Sequence, residues 1–190
     1  ELRKLSAKAD SIVADVTAPT DCHSMVHTAV QKFGRLDILV NNAGINIRKT
    51  AQDYSLTEWH AVLDTNLTSA YLSAQAAYPE MVRQGGGKII NIGSMMSIFG
   101  ASFAVAYAAS KGGIVQMSKA LATAWAKDNI QVNAVLPGWI DTELTRNARD
   151  QVTGLNERVL ARTPAGRWGV PNDLSGIAVF LAAPASDFVT

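Results

Sequence analysis

Tyr107 and Lys111 stand four residues apart in A-Y-A-A-S-K, and Ser94 precedes Tyr107 by twelve intervening residues. On a helix, positions i and i+4 share a face, with Cβ atoms about 6 Å apart. An ammonium group at that reach favours the phenolate and lowers the phenol from its unperturbed pKa of about 10, which makes Tyr107 an acid or base for work near neutral pH. Ser94 follows an apolar run, Ile89 to Ile92, that reads as a buried strand. A strand therefore delivers a hydroxyl to the place where a helix presents a phenol and an amine. An isolated Tyr and Lys at this spacing is an ordinary helical pair, but the surroundings set this one apart. No charged residue lies between Lys88 and Lys111, and Asn91, Ser94, Ser97 and Ser102 speak against a membrane span. A buried segment that ends in a lysine is the expectation.

The elements that must position these groups can be read in chain order. Glu1 to Ala9 reads as the end of an amphipathic helix, and Ser11 to Asp15 as a short strand ending on an acid. Cys22, Met25, Val26, Ala29, Val30 and Phe33 recur at three- and four-residue steps and predict a helix closed by Gly34. Leu36 to Val40 reads as a buried strand, with N-N-A-G, Asn41 to Gly44, at its C-terminal end. Ser55-x-x-Glu58 has the form of a capping box and predicts a helix that carries Asn66 and runs to about Gln84. The strand into Ser94 follows, then a helix from about Ala104 to Lys127 and a strand from Ile130 to Leu136. The Arg-rich stretch from Asp141 to Trp168 reads as a short helical excursion, and Pro171 opens a last helix with Leu174, Ile177, Ala178 and Leu181 on one face. Strands alternating with helices at this spacing predict βαβ units and a parallel sheet covered on both faces. Ligands bind beyond the C-terminal ends of strands in such sheets. Asp15, Asn41 to Gly44, Ser94 and Pro137 to Thr142 all follow strands, so they are expected on one rim.

Composition narrows the classes. The 190 residues are 48% hydrophobic and 17% charged with a formal net charge of +1, so neither nucleic acid nor an anionic membrane is an expected partner. Cys22 is the one cysteine, which leaves no intrachain disulfide, and no metal site is expected. The first residues are charged and helical in character rather than basic and then apolar, and the expected compartment is the cytoplasm.

Ser94, twelve intervening residues and then Y-A-A-S-K resembles the active site of the short-chain dehydrogenase/reductase family. Nearly the whole chain shares the resemblance, with the family's blocks in order. It implies a Rossmann-like, doubly wound, three-layer α/β fold that is N- and C-terminally incomplete, since the family's glycine-rich phosphate loop and final strand are not among these residues. Residues 1–190 are then one partial dinucleotide-binding domain, with residues 141–168 as a substrate lid within it. The implied activity is hydride transfer between NAD or NADP and a secondary alcohol or ketone. In it Tyr107 exchanges the hydroxyl proton, Ser94 holds the substrate oxygen, Lys111 binds the nicotinamide ribose, and Asn66 holds a water that connects Lys111 to solvent.

The resemblance further implies cofactor contacts from Asp15, Val16, Asn41, Asn42, Ala43, Gly44, Pro137, Gly138, Ile140 and Thr142. Taken alone, Asp15 also reads as a turn or helix cap, and Gly44 as a source of conformational freedom in a turn. N-N-A-G-I-N-I-R-K, I-I-N-I-G-S-M and P-A-G-R-W-G are most similar to the gluconate and deoxygluconate dehydrogenase branch, which implies a sugar acid or polyol as substrate. Ser94, Met95, Arg48 and Trp139 are the expected substrate contacts, and Arg146, Arg149, Arg158 and Arg162 are further candidates to grip a carboxylate. A 3-oxoacyl reductase and a non-catalytic cofactor-binding sensor or scaffold are the alternatives. The helices that carry Asn66 and Tyr107 hold Ala70, Ala74, Ala77, Ala120, Ala122 and Ala124, and the family's habit implies a homotetramer or dimer built through them.

Overall fold

The computed structural model describes residues 8–190, so most of the expected N-terminal helix, Glu1 to Ala7, lies outside the described residues. Helix α1 (Pro19–Phe33) ends where Gly34 adopts φ 82°, a left-handed conformation that suits glycine. Strand β1 (Ile38–Asn41) follows. Helix α2 (Leu56–Leu63) starts at the expected capping box: Ser55 Oγ accepts from Glu58 N, and the Glu58 carboxylate accepts from Ser55 N. Ser55→Ala removes one side of that box and is expected to cost about 1 kcal/mol in urea unfolding.

The helical run does not continue unbroken. A π-helical segment, Asp64–Thr68, joins α2 to α3 (Ser69–Arg83) and carries Asn66. Such bulges are frequent at functional sites. Strand β2 (Gly87–Ile92), helix α4 (Val105–Trp125) and strand β3 (Ile130–Val135) complete the centre of the domain.

The three strands form a parallel sheet in the order β1-β2-β3, with Ile89 beside Leu39 and Val132. Alternation along β2 decides what each face does. Ile89 points to the face covered by α1, α3 and α4, where Val26, Ala74, Ala77, Met81, Ala122, Ile130 and Val132 form the main core. Lys88 points the other way, and its ammonium donates to Gln131 Oε1 (3.2 Å), Ser186 Oγ (3.1 Å) and Asp187 Oδ1 (2.8 Å). That face carries α7 (Ser175–Ala182), which contacts β2. Helices thus flank the parallel sheet on both faces, as the Rossmann-like expectation requires, and the sheet is not closed.

Before α7 the chain forms α5 (Glu143–Gln151) and α6 (Leu155–Arg162). The expected excursion is therefore two helices, and they have a core of their own: Ala148, Leu155 and Val159 are buried against Phe103, Trp139 and Trp168. A parallel bridge between Ile140 and Gly169 closes its base, with Asp141 N donating to Gly169 O at 2.8 Å.

Three expectations are corrected. Ser11 to Asp15 forms no ladder with any described strand, and Val13 is fully exposed; a strand exists through its partner's hydrogen bonds, and β1 to β3 pair only with one another. On α7 only Leu181 of the predicted apolar face is buried, Ile177 and Ala178 being exposed, and Pro171 opens a 3₁₀ turn rather than the helix itself. Of the six alanines expected at a subunit interface, Ala70, Ala74, Ala77 and Ala122 are buried inside this chain. Their three- and four-residue steps let α3 and α4 approach their own sheet, and only Ala120 and Ala124 face outward.

Candidate active site

The C-terminal ends of β1, β2 and β3 deliver Asn41, Ser94 and Pro137 to one rim, and the N-terminal half of α4 brings Tyr107 and Lys111 to it. Ser94 caps a short 3₁₀ turn, Met95–Ser97, with Oγ accepting from Met96 N at 3.1 Å. The cap fixes the hydroxyl, which lines the same pocket as the Tyr107 phenol and draws its pKa down. Lys111 is 4% exposed, and its Nζ donates to the Ile92 carbonyl at the end of β2 at 2.6 Å. Burial lowers its pKa to about 8.

The expected influence of Lys111 on the phenol is not what this geometry gives. Burial raises the Tyr107 pKa, and the opposing influences are the Ser94 hydroxyl and then the positive charge of Arg48. The Lys111 ammonium passes over the ring face, 5.7 Å from its centroid, on its way to the Ile92 carbonyl. The i,i+4 spacing sets where the lysine starts, and the carbonyl sets where it ends.

Asn66 is 2% exposed and clamps the loop after β1. Its Oδ1 accepts from Ile45 N at 2.8 Å, while its Nδ2 donates to Ile45 O (3.0 Å) and Ser110 Oγ (3.0 Å). Both backbone polar groups of Ile45 are thereby held, so the residues on either side of it are oriented. Gly44 does not serve conformational freedom, since its φ is not positive. A Cβ there would lie 3.4 Å from Asn66 Oδ1 and 3.5 Å from Lys111 Nζ, inside the groove.

Two connected hollows result. A groove is lined by Asn42, Gly44, Ser94, Tyr107, Lys111, Pro137, Gly138, Ile140 and Thr142, the last opening α5 as its N-cap. A deeper pocket beside it is lined by Asn46, Arg48, Ser94, Met95, Met96, Phe103, Tyr107, Trp139, Leu144 and Thr145. The expected catalytic, nicotinamide-end and substrate residues are thus brought together around Ser94 and Tyr107. Val16, Asn41, Asn42 and Ala43 line a third hollow at the other end of the rim.

Two of the expected cofactor residues, Asp15 and Asn41, also bond within the chain. Asp15 makes the turn into α1, its Oδ1 accepting from Thr17 N (2.9 Å) and Thr17 Oγ1 (2.7 Å), which holds its pKa below the usual value. The Asn41 side chain donates to Asn91 Oδ1 (2.8 Å) and Ala70 O (3.2 Å), and Asn91 donates in turn to Ser118 Oγ at 2.9 Å. That chain of amides ties β1 to β2 and to α4 below the rim.

The lid arginines are also placed differently from the expectation. Arg149 Nη2 donates to Asp141 Oδ1 at 2.6 Å and its guanidinium stacks over Trp168 at 4.5 Å; Arg146 pairs with Asp141 at 3.5 Å, and Arg158 bonds Thr153 O. None of these, nor Arg162, lines the pocket. Arg48 does, and it spans to α5 through Leu144 O (2.9 Å) and Gln151 Oε1 (3.2 Å). Asn46, Phe103, Leu144 and Thr145 also line the pocket and were not singled out from the sequence; the alternation of Asn46 with Arg48 along an extended segment is the signal that points to it. Among the described residues no group of His, Cys, Asp and Glu has the makings of a metal site, and no helix is long and apolar enough to cross a membrane.

Three comparisons bear on this arrangement. A family model described as enoyl-(acyl carrier protein) reductase matches residues 1–190. The chain is 44% identical over 181 residues to the 2-dehydro-3-deoxy-D-gluconate 5-dehydrogenase of Dickeya dadantii, covering 94% of this chain and 71% of that protein. It is 37% identical over 190 residues to the 3-oxoacyl-[acyl-carrier-protein] reductase of Thermotoga maritima, covering 100% and 76%. Its fold matches the crystal structure of a gluconate 5-dehydrogenase from Burkholderia cenocepacia in complex with NADP and tartrate, with a TM-score of 0.94, 38% identity, and coverage of 100% of this chain and 74% of that one. The match along the whole length, with Ser94, Tyr107 and Lys111 gathered at one strand rim, means that the chain belongs to the short-chain dehydrogenase/reductase family of oxidoreductases.

Proposed function

We propose that this chain transfers hydride between NAD or NADP and a secondary alcohol or ketone of a sugar acid. The observation that carries the reading is Arg48. It is a half-buried guanidinium on the wall of the pocket that also holds the Ser94 hydroxyl and the Tyr107 phenol. Burial lowers its pKa, so an anionic partner stabilises it where an apolar one does not. The relatives named for gluconate and deoxygluconate chemistry support the same class.

The groove fits a nicotinamide cofactor. Gly44 leaves its floor open beside Lys111, with Asn42 on one wall and Pro137, Gly138, Ile140 and Thr142 on the other, while Val16 and Ala43 flank the end that suits an adenine. Bound there, the nicotinamide supplies the hydride acceptor for oxidation and the donor for reduction. Ser94 donates its hydrogen bond to the substrate oxygen and holds the carbinol against Tyr107. In oxidation the Tyr107 phenolate takes the hydroxyl proton and becomes a phenol; in reduction it returns it. Ser94 and Arg48 make that phenolate accessible against the burial that opposes it. Lys111 offers its remaining ammonium protons to the cofactor ribose, and Asn66 fixes the loop that forms the opposite wall.

The 3-oxoacyl reductase alternative draws on Met95, Met96, Phe103, Trp139 and Leu144 in the pocket lining. An acyl chain would leave the Arg48 charge without an anionic partner, which disfavours that reading. A sensor or scaffold has no use for a hydroxyl, phenol and ammonium group gathered at one point. We place the enzyme in the cytoplasm and expect a dimer or tetramer through the outer faces of α2, α3 and α4, where Leu56, Tyr71 and Val105 are exposed.

The test compares turnover of gluconate-type acids with neutral polyols of the same hydroxyl pattern. Wild type is expected to prefer the acids, and Arg48→Ala to shrink that preference by about 10- to 100-fold, the worth of a hydrogen bond to a charged group. The readout is the ratio, because Arg48 also acts on Tyr107. Equal turnover of acids and neutral polyols by wild type would overturn the reading.

A further inference from the structure

Asn46 presents a polar atom that the fold does not use. Its Oδ1 is buried and has no hydrogen-bond donor among the described residues, and it is the only side-chain nitrogen or oxygen described there in that condition. An unpaired buried acceptor is costly enough that native structures keep few of them, and those few call for an explanation. Asn46 lines the substrate pocket together with Arg48, Ser94 and Tyr107.

Its position along the wall says which part of a substrate it meets. Asn42 and Gly44 line the groove, whereas Asn46 and Arg48 line the pocket, so alternate residues of one segment face the site in sequence from the cofactor end to the guanidinium end. Residues two apart in an extended chain are at most about 7 Å apart. The Asn66 side chain holds both the N–H and the carbonyl of Ile45, which fixes the turn of the chain between Gly44 and Asn46. Asn46 therefore follows a held stretch of backbone and precedes Arg48 along a wall of the pocket that Tyr107 also lines, with its Oδ1 buried and unpaired among the described residues.

We infer that Asn46 is a specificity-determining residue that hydrogen-bonds a substrate hydroxyl lying between the reacting carbinol and the carboxylate. This rests on the sugar-acid reading for the place of the carboxylate, but the hydroxyl itself is recognised independently of charge. A hydroxyl both donates and accepts, so it satisfies either end of the amide. Acids with a bare methylene at that place would leave the Asn46 amide unpaired in the complex, and the site discriminates against them. An apolar side chain at position 46 would remove the discrimination without touching the proton-transfer groups.

The test measures kcat/KM for four substrates: a polyhydroxy acid, its analogue deoxygenated at the carbon beside the reacting carbinol on the carboxylate side, and the corresponding neutral polyol pair. Wild type is expected to prefer the hydroxylated member of each pair by about 10- to 100-fold, in line with the loss of one hydrogen bond in a buried site. Asn46→Leu is expected to bring that ratio within about threefold of unity. Asn46→Asp keeps an oxygen acceptor at the same reach and is expected to retain the preference. A wild-type ratio near unity, or a full preference kept by Asn46→Leu, would overturn the assignment. Should both variants fail to fold, the wild-type ratio alone decides. Loss of the acid-over-neutral preference with the hydroxyl preference intact would remove the sugar-acid reading and leave Asn46 as a hydroxyl reader.

Discussion

Tyr107→Phe is expected to lower kcat by on the order of 10³-fold, within the range that a positioned acid or base contributes, while cofactor affinity changes little. The phenol shares a boundary with both hollows, so its hydroxyl is the one acidic group placed to exchange a proton with a carbinol held by Ser94. Removing the oxygen leaves the ring in place over Lys111 and leaves the groove lining unchanged, which is why binding and turnover should separate. Fluorescence titration with NADH or NADPH measures the first and steady-state rates the second. The pH profile supplies a further readout. Burial pushes the phenol upward while Ser94 and Arg48 pull it down, so Ser94→Ala is expected to move the acidic limb for oxidation, where the rate rises with pH, to higher pH. Unchanged turnover in Tyr107→Phe would remove the phenol from the mechanism.

Much of this site is legible in the sequence because its chemistry is carried by residue types at fixed spacings. The hydroxyl, phenol and amine of Ser94, Tyr107 and Lys111 lie in one uncharged stretch, and the strands that position them announce themselves as apolar runs ended by Gly93 and by Pro137. The capping box at Ser55 was equally plain, since it depends on two residues three apart. What stayed hidden depends on contacts between distant segments. Nothing in A-V-L-D-T-N-L-T reports that the helix widens into a π turn at Asn66, because that turn is settled by the grip of Asn66 on Ile45, twenty-one residues earlier. Asn41 and Asn42 are chemically identical neighbours, yet the first is drawn into the sheet by Asn91 and the second faces the groove. An Asn in a loop ordinarily reads as a turn residue, so Asn46 gave no signal of its own. The arginines of α5 are hard to place from sequence for a related reason: Asp141 and Trp168, far apart in sequence, occupy Arg149 from two sides.

Lys111 is where function and stability oppose each other, and Lys111→Met should expose both. Turnover is expected to fall by about 100-fold or more, because the variant removes the ammonium that the groove directs at a bound cofactor. Stability should change in a pH-dependent way. Burial holds the folded-state pKa near 8, below the ordinary value of 10.5. Between those two values the unfolded chain binds more protons than the folded one, so this group makes stability rise with pH across that window. Below pH 8 the folded protein carries the full cost of a buried ammonium, held in place by its bond to the Ile92 carbonyl. Above 10.5 the lysine is neutral in both states and the cost is gone. Tyrosines that titrate in the same range act on wild type and variant alike, so the difference between the two isolates Lys111. Urea unfolding of both proteins at pH 7 and 9.5 should show wild type gaining about 2 kcal/mol relative to Lys111→Met as the pH rises. A difference that does not change with pH would mean that the Lys111 ammonium is solvated in the folded protein. The lysine would then lose its claim to be held ready, at a cost in stability, for a partner that the fold itself does not provide.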